Sequence, residues 1–206
     1  GNFECFVFNQ LSTTNVISIV PQQSIIILDI PNLSSVLVQT FYQISPVVIA
    51  LDYFTIENQS PTCVINIFDH RGTKLLPHRV EPMHTDYYEG LDYSIIRKEF
   101  VVARKIRIEQ SEKPYVSRVL VSFGGSDPRN NYIKALTILE KLPGMISVDL
   151  VLGPLFRGDA KIFENSLRSK LDVSVHRSVE CLSELMLKAD LIFCGGGGTL
   201  LESMTV

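Results

Sequence analysis

Two glycine-rich stretches in this sequence stand where an apolar run gives way to a helical pattern. Residues 195–198 are four consecutive glycines, and Gly124 and Gly125 precede Ser126. Because glycine has no Cβ, the backbone N–H groups of such a turn can approach an anion closely. A helix that follows adds unpaired N–H donors and the positive end of its dipole. Both stretches therefore indicate phosphate binding, with a tight turn that lets a helix pack closely as the alternative.

Neither stretch has the spacing of a common nucleotide-binding motif. Counted from Gly195, the third glycine of a GxGxxG fingerprint falls on Leu200, and no GxxxxGK[ST] P-loop is present. Glu202 has two interpretations: it closes a capping box with Thr199, or it is a ligand carboxylate. Similarly, Asp127 followed by a proline is a sufficient helix start without any ligand.

Alternating strand and helix patterns in the second half predict the elements that position these residues. An α/β order of this kind favours a parallel sheet with right-handed crossovers and helices on both faces. Ligands of such sheets bind at the carboxyl ends of the strands, where the strand order reverses. The predicted strands are 118–123, 146–152, 172–176 and 190–194, and the predicted helices are 128–142, 159–171, 179–189 and one from about Thr199.

The first half shows the same kind of pattern with less regularity. We interpret residues 69–117 as surface loops and an interdomain crossing, with a domain boundary within 105–115. The predicted strands are 4–8, 15–19, 24–30, 46–52 and 62–68, with one helix over 33–43.

Composition excludes several classes of protein. The 206 residues are 46% hydrophobic and 20% charged, with a net charge of −3, so a packed core is expected and a basic nucleic-acid surface is not. The longest apolar runs are too short to span a bilayer, and no signal peptide is visible, which predicts a cytoplasmic protein. The four cysteines are widely spaced and are expected to be free thiols, with no metal site and no cofactor.

Three motifs together resemble a known family. "EGLDYSIIRKEF" (89–100), "VLVSFGGSDPRN" (119–130) and "CGGGGTLLES" (194–203) occur in this order. They are similar to a family of nucleotide-sugar enzymes that includes the UDP-sugar hydrolase of pseudaminic acid biosynthesis and related spore-coat polysaccharide proteins. The resemblance implies a GT-B-like fold of two Rossmann-like domains with parallel sheets. It implies a partial N-terminal domain over 1–110 and a partial C-terminal nucleotide-binding domain over 111–206.

The resemblance also implies a binding site for a UDP-linked amino sugar in a cleft between the two domains. The nucleotide would be held mainly by the C-terminal domain. The implied contacts are Gly124, Gly125 and Ser126 near the sugar and diphosphate; Gly153 and Pro154 beside the base; Gly196, Gly197, Gly198 and Thr199 on the diphosphate; and Glu202 on the ribose hydroxyls.

The sequence departs from the family's pattern at the expected catalytic base. In the family, the first strand is followed by a glycine-rich loop with a histidine that activates water, and no G-x-G-H stretch occurs here. None of the four histidines follows an N-terminal strand and a glycine loop: His70, His78, His84 and His176. The catalytic residues therefore stay unassigned.

On this resemblance we expect UDP-sugar binding and hydrolysis of the anomeric C–O bond in surface polysaccharide or nonulosonic acid biosynthesis. Both domains are expected to be incomplete, the first without its initial strand and catalytic glycine loop. A chain without the base would bind the nucleotide sugar without turning it over. The alternatives are a GT-B glycosyltransferase, in which an acceptor hydroxyl replaces water, and a non-catalytic module that binds a nucleotide sugar.

Overall fold

The chain divides into two compact units, Gly1–Ser94 and Ile95–Val206. The computed structural model describes residues 18–30, 33–52, 61–67, 85–111, 114–157, 170–177 and 179–206. Each unit contains a four-stranded parallel sheet with helices packed on it, so the predicted α/β class with two Rossmann-like units is confirmed. The contacts group residues 95–110 with the second unit, and the domain boundary that we place at residue 110 stays a prediction.

The first unit buries one face of its sheet under a single described helix. Helix α1 (Ser35–Tyr42) follows the first strand, and its Val38 and Phe41 pack against the apolar side chains of that face. The hydroxyl of Ser34 accepts a hydrogen bond from the N–H of Leu37 and so caps the helix. The strands, in their order across the sheet, are β1 (Ile25–Leu28), β2 (Val47–Leu51), β3 (Cys63–Asn66) and β4 (Asp86–Glu89), with a 3-10 turn at Leu91–Tyr93.

The second unit contains, in chain order, α2 (Lys98–Glu109), β5 (Arg118–Ser122), α3 (Asn131–Leu139), β6 (Ile146–Leu152), β7 (Leu171–Arg177), α4 (Leu182–Lys188), β8 (Leu191–Cys194) and α5 (Gly198–Thr205). Its strands lie in the order β7-β6-β5-β8 across the sheet, and every pairing is parallel. The chain runs outward from β5 through β6 to β7 and then returns to the other side of β5, so the strand order reverses at β5.

Helices cover both faces of the second sheet because successive strand residues point to opposite sides. Val119 and Val121 of β5 lie in one core with Tyr132 of α3. Between them in sequence, Leu120 lies in the opposite core with Phe100 of α2, together with Met186 of α4. The prediction of a sheet covered on both faces is therefore confirmed for this unit.

The interpretation of residues 69–117 as loops and a crossing is wrong at β4 and at α2. The sequence pattern does not predict α2, because its apolar residues do not all lie on one buried face. Only Phe100 and Ala103 are buried, and several others, among them Val102 and Ile108, are exposed. The predicted strand 4–8, most of 15–19 and most of the predicted helix 159–171 lie outside the described residues, as do His70, His78, His84 and Cys5.

No helix among the described residues is both long and apolar enough to cross a membrane. The three described cysteines, Cys63, Cys181 and Cys194, are free thiols. Burial, followed by the nearby Asp86 carboxylate, raises the pKa of the Cys63 thiol. No group of three or more metal-ligating side chains occurs in the described part of the chain.

A buried carboxylate links three strands of the second sheet. Asp149 on β6 is 3% exposed and accepts hydrogen bonds from Arg118 on β5 at 2.7 and 3.1 Å. Its other neighbour is His176 on β7, whose Nε2 lies 2.8 Å from Oδ1. Burial raises the pKa of Asp149, but the bonds to Arg118 and His176 outweigh it, and the net pKa is lowered.

We expect Asp149→Asn to lower the free energy of unfolding near neutral pH. A hydrogen bond to a charged group contributes about 1.5–3 kcal/mol to stability. Because Arg118 and His176 are partly exposed, the stability lost in Asp149→Asn should be smaller than for a fully buried ion pair. Because the folded-state pKa of Asp149 is lowered, its contribution is present above the unfolded-state pKa and is lost as pH falls through the folded-state pKa. Urea unfolding between pH 5 and pH 2 should therefore show the two proteins converging in acid. A constant difference across this range would contradict the role given to the carboxylate.

Candidate functional site

Three loops meet at the carboxyl edge of the second sheet. Ser122, the last residue of β5, is paired with Val151 of β6 and with Cys194 of β8. The loops that follow these strands therefore start at the same level, with the β5 loop in the middle. They carry all the predicted binding residues except Gly198, Thr199 and Glu202, which lie in α5. Since the strand order reverses at β5, this edge is also where parallel α/β sheets bind ligands.

The glycines of residues 195–198 are explained neither by backbone strain nor by packing. None of them has a φ in the left-handed region. A Cβ built on any of them would meet no atom within 4 Å. Close packing of a helix, the alternative interpretation of this run, therefore finds no support in the described part of the chain. What the run provides is backbone without side chains, facing open space at the start of α5.

The capping-box interpretation of Thr199 and Glu202, one of the two given above, is wrong. Helix α5 begins at Gly198, its N-cap residue is Gly197, and no side chain caps it. Thr199 is thus inside the first turn, two residues after the N-cap position. The carboxylate of Glu202 points elsewhere: its Oε1 accepts a hydrogen bond of 2.8 Å from Nε of Arg97.

Arg97 is a residue that sequence reasoning missed. It directly precedes α2, and its side chain also lies 3.2 Å from Oε1 of Glu99 and 4.8 Å from the ring centroid of Phe100. The hydrogen bond to Glu202, followed by the charges of Glu202 and Glu99, raises the pKa of Arg97 against the opposing effect of burial. Its only sequence signal is its place in the motif "SIIRKEF", which by itself gives the arginine no role.

The β5 loop is held by a buried carboxylate. Asp127 is 4% exposed and accepts hydrogen bonds of 2.9 Å from the backbone N–H of Tyr132 and from Nδ2 of Asn131. The prediction that Asp127 is the N-cap with a proline at the first helical position is wrong in register, because α3 begins at Asn131. Asp127 still satisfies a helix-start N–H, from a left-handed backbone conformation with φ 44°.

The side chain of Tyr132 also contacts the β5 loop. It packs edge-on against Phe123 and Phe156, with centroid separations of 5.3 and 5.7 Å. Its hydroxyl lies 3.4 Å from the backbone N–H of Phe123 and 3.4 Å from the carbonyl oxygen of Gly124. Burial raises the pKa of Tyr132. The phenol is therefore a neutral hydrogen-bonding support for the backbone at Gly124.

Gly153 is needed for packing. A Cβ at this position would lie 2.6 Å from Cα of Gly125 and 2.5 Å from its carbonyl oxygen, and closer still to the carbonyl oxygen of Gly124. The N–H of Leu155 donates to the carbonyl oxygen of Gly125 at 2.9 Å and joins the two loops. The predicted neighbours Ser126 and Pro154 are both exposed at this edge.

A separate cavity of about 970 Å³ lies at the opposite edge, near the starts of β5 and β8. Two of its charged side chains, Arg107 and Asp190, are already used in the fold. Arg107 donates to the carbonyl oxygens of Leu187 and Ala189, and Asp190 accepts from the backbone N–H groups of Ser117 and Arg118. We place the functional site at the carboxyl edge instead, because only that edge has open glycine backbone at a strand-order reversal.

Comparison with known proteins gives two distant relatives. No protein-family model matches the chain. It is 30% identical over 150 residues to the uncharacterized protein MJ1062 of Methanocaldococcus jannaschii, covering 71% of this chain and 31% of that protein. It is 26% identical over 127 residues to the spore coat polysaccharide biosynthesis protein SpsG of Bacillus subtilis, covering 60% of this chain and 36% of that protein. The chain thus spans about a third of the length of the curated relatives it matches.

Two glycine substitutions should separate packing from open space. Gly153→Ala forces a methyl group into the backbone of the β5 loop and should destabilise the protein by about 1–3 kcal/mol or more. Gly196→Ala adds a methyl group where nothing lies within 4 Å, and should be neutral or stabilising by up to about 1 kcal/mol, because it restricts the unfolded chain. Thermal unfolding of both variants checks this. Equal destabilisation would show that the glycine run is packed after all.

Proposed function

We propose that this chain forms the nucleotide-binding part of an enzyme that acts on UDP-sugars, with hydrolysis of the anomeric C–O bond as its reaction. The observation that carries the proposal is the run of open glycine backbone at the start of α5, next to the point where the strand order reverses. Helix starts without side chains in the way bind phosphate groups through backbone N–H donors and the helix dipole. No acidic residue stands in the first turn of α5 to oppose an anion.

The remaining binding residues fit different parts of such a ligand. In the proposed complex, Gly196, Gly197, Gly198 and Thr199 bind the diphosphate. Gly124, Gly125 and Ser126 lie near the sugar and diphosphate, and Gly153 with Pro154 lies beside the base. Glu202 accepts hydrogen bonds from the ribose hydroxyls, for which a carboxylate has two acceptor oxygens. Only one of these oxygens is engaged by Arg97.

The proposed reaction needs two kinds of assistance. Donors must stabilise the negative charge on the departing diphosphate, and a base must activate the attacking water. The glycine loops supply candidates for the first. The described histidine, His176, is bound to Asp149 on a sheet face, and no residue of this sequence matches the base expected from the family. We therefore assign the chain to binding and leave the base unassigned.

The name of the Bacillus subtilis relative supports surface polysaccharide biosynthesis as the setting. Within that setting, a hydrolase and a glycosyltransferase differ in the acceptor. Release of free sugar into water, without an added acceptor, distinguishes the hydrolase from the transferase. A protein that binds the nucleotide sugar and does neither is a binding module.

We expect UDP to bind more tightly than NAD, ATP or CMP. The glycine loops lack the spacings of dinucleotide folds and P-loop enzymes, and the site offers backbone donors for one diphosphate. Isothermal calorimetry with the four nucleotides on folded protein tests this expectation. Gly196→Ala is the matched variant: it should keep the fold and weaken UDP binding. NAD binding more tightly than UDP, or a UDP affinity unchanged in Gly196→Ala, would contradict the proposal.

We expect Glu202→Gln to weaken UDP binding tenfold or more. The substitution replaces a charged acceptor pair by one carbonyl oxygen and one donor, and charge-assisted hydrogen bonds contribute about 1.5–3 kcal/mol. Stability should change little, because Arg97 is half exposed and glutamine still accepts from its Nε. Pyrophosphate, which has no ribose, is the control ligand and should lose much less affinity. Equal losses for UDP and pyrophosphate would remove Glu202 from the ribose site.

A further inference from the structure

The contact between Arg97 and Glu202 joins residues that are 105 positions apart in sequence. The arginine is held from several sides. Phe100, in the first turn of α2, is fully buried in the core that α2 and α4 share. This burial fixes the position of the helix start. The guanidinium lies over the ring of Phe100 and also pairs with Glu99. Arg97 therefore presents its Nε to Glu202 from a fixed direction.

Among the described residues, a hydrogen-bond donor reaches only one oxygen of the Glu202 carboxylate. Oε1 accepts from Arg97, and Oε2 accepts no hydrogen bond from the described residues. The side chain of Glu202 is 14% exposed, so its head is confined but accessible. A glutamate has several rotatable bonds, and a single fixed partner on Oε1 restricts the directions in which Oε2 can point. Oε2 is therefore the carboxylate oxygen with both lone pairs open to a further donor.

We propose that Arg97 is a positioning residue for nucleotide recognition: by holding Oε1 of Glu202, it orients Oε2 toward the ribose hydroxyls of the bound nucleotide. This inference rests on the proposed function, in which Glu202 binds the ribose. It assigns to Arg97 a part in selecting ribose over deoxyribose without any contact to the ligand. Because Arg97 is 53% exposed, its ion pair is expected to contribute little to stability, and its loss should appear in ligand selection.

The test compares the affinities of UDP and 2′-deoxy-UDP, because their ratio cancels any loss that both ligands share. Calorimetry on the full chain should give a preference for UDP of about tenfold, since 2′-deoxy-UDP lacks one hydroxyl that a charged acceptor would bind. In Arg97→Ala the preference should fall to about threefold or less. Arg97→Lys keeps the charge without the fixed Nε geometry and should give an intermediate ratio.

Lys98→Ala is the matched control, because it removes an exposed positive charge next to Arg97 at the start of α2 and keeps the contacts of Arg97 with Glu202, Glu99 and Phe100. It should leave the ratio within about twofold of the unsubstituted protein. The double variant of Arg97→Ala with Glu202→Gln should have the same ratio as Glu202→Gln alone, since the arginine acts only through the carboxylate.

Each contrary result has a definite meaning. If Arg97→Ala keeps the full preference, or weakens both ligands equally, Arg97 does not position Glu202 and the inference is wrong. If Glu202→Gln also keeps the preference, the ribose contact of the proposed function fails, and the inference fails with it. If Arg97→Ala shows no cooperative thermal unfolding, Arg97→Lys decides: an unchanged ratio in that variant overturns the inference.

Discussion

Strand β5 pairs with β6 on one side and with β8 on the other, and this double pairing sets where the three loops of the candidate site begin. At the amino end, the carboxylate of Asp190 accepts from the backbone N–H groups of Ser117 and Arg118 at 2.9 and 2.8 Å and fixes where β5 and β8 start together. At the carboxyl end, the absence of a side chain on Gly153 lets the β6 loop lie against the β5 loop. The loops thus start from backbone pairing, and among them residues 195–198 carry no packing requirement of their own.

The site also depends on an element that precedes the sheet in sequence. Helix α2 packs on α4 and α5, and its buried Phe100 sets the position of Arg97 beside Glu202. Without this helix, the carboxylate would have no partner among the described residues. Several valines and isoleucines of α2 are exposed, so the helix buries little apolar area. Its importance for the site is that its N-cap residue, Arg97, contacts Glu202.

Local patterns predicted the strands well, because a short apolar run between turn residues has few other solutions in a parallel sheet. Residues 118–123 and 190–194 illustrate this, since both became strands within one residue of the predicted bounds. Contacts between distant residues could not be predicted in the same way. The pattern of Thr199 and Glu202 is locally a capping box, but an arginine 105 positions earlier provides a charged partner that no local pattern contains. Asp127 was recognised as a cap, but the two left-handed residues that delay α3 to Asn131 left no sequence signal.

The pairing of Arg97 has a consequence for how a diphosphate is bound in the proposed complex. Its guanidinium already faces two carboxylates, Glu202 and Glu99, so it brings little net positive charge to the site. The chain as a whole carries a net charge of −3 and offers no basic field. In the proposed complex the diphosphate is therefore held mainly by the backbone N–H groups and dipole of α5, whose influence fades within a turn. Over so short a range a single methyl group matters, which gives a physical reason for four glycines where the fold itself requires none.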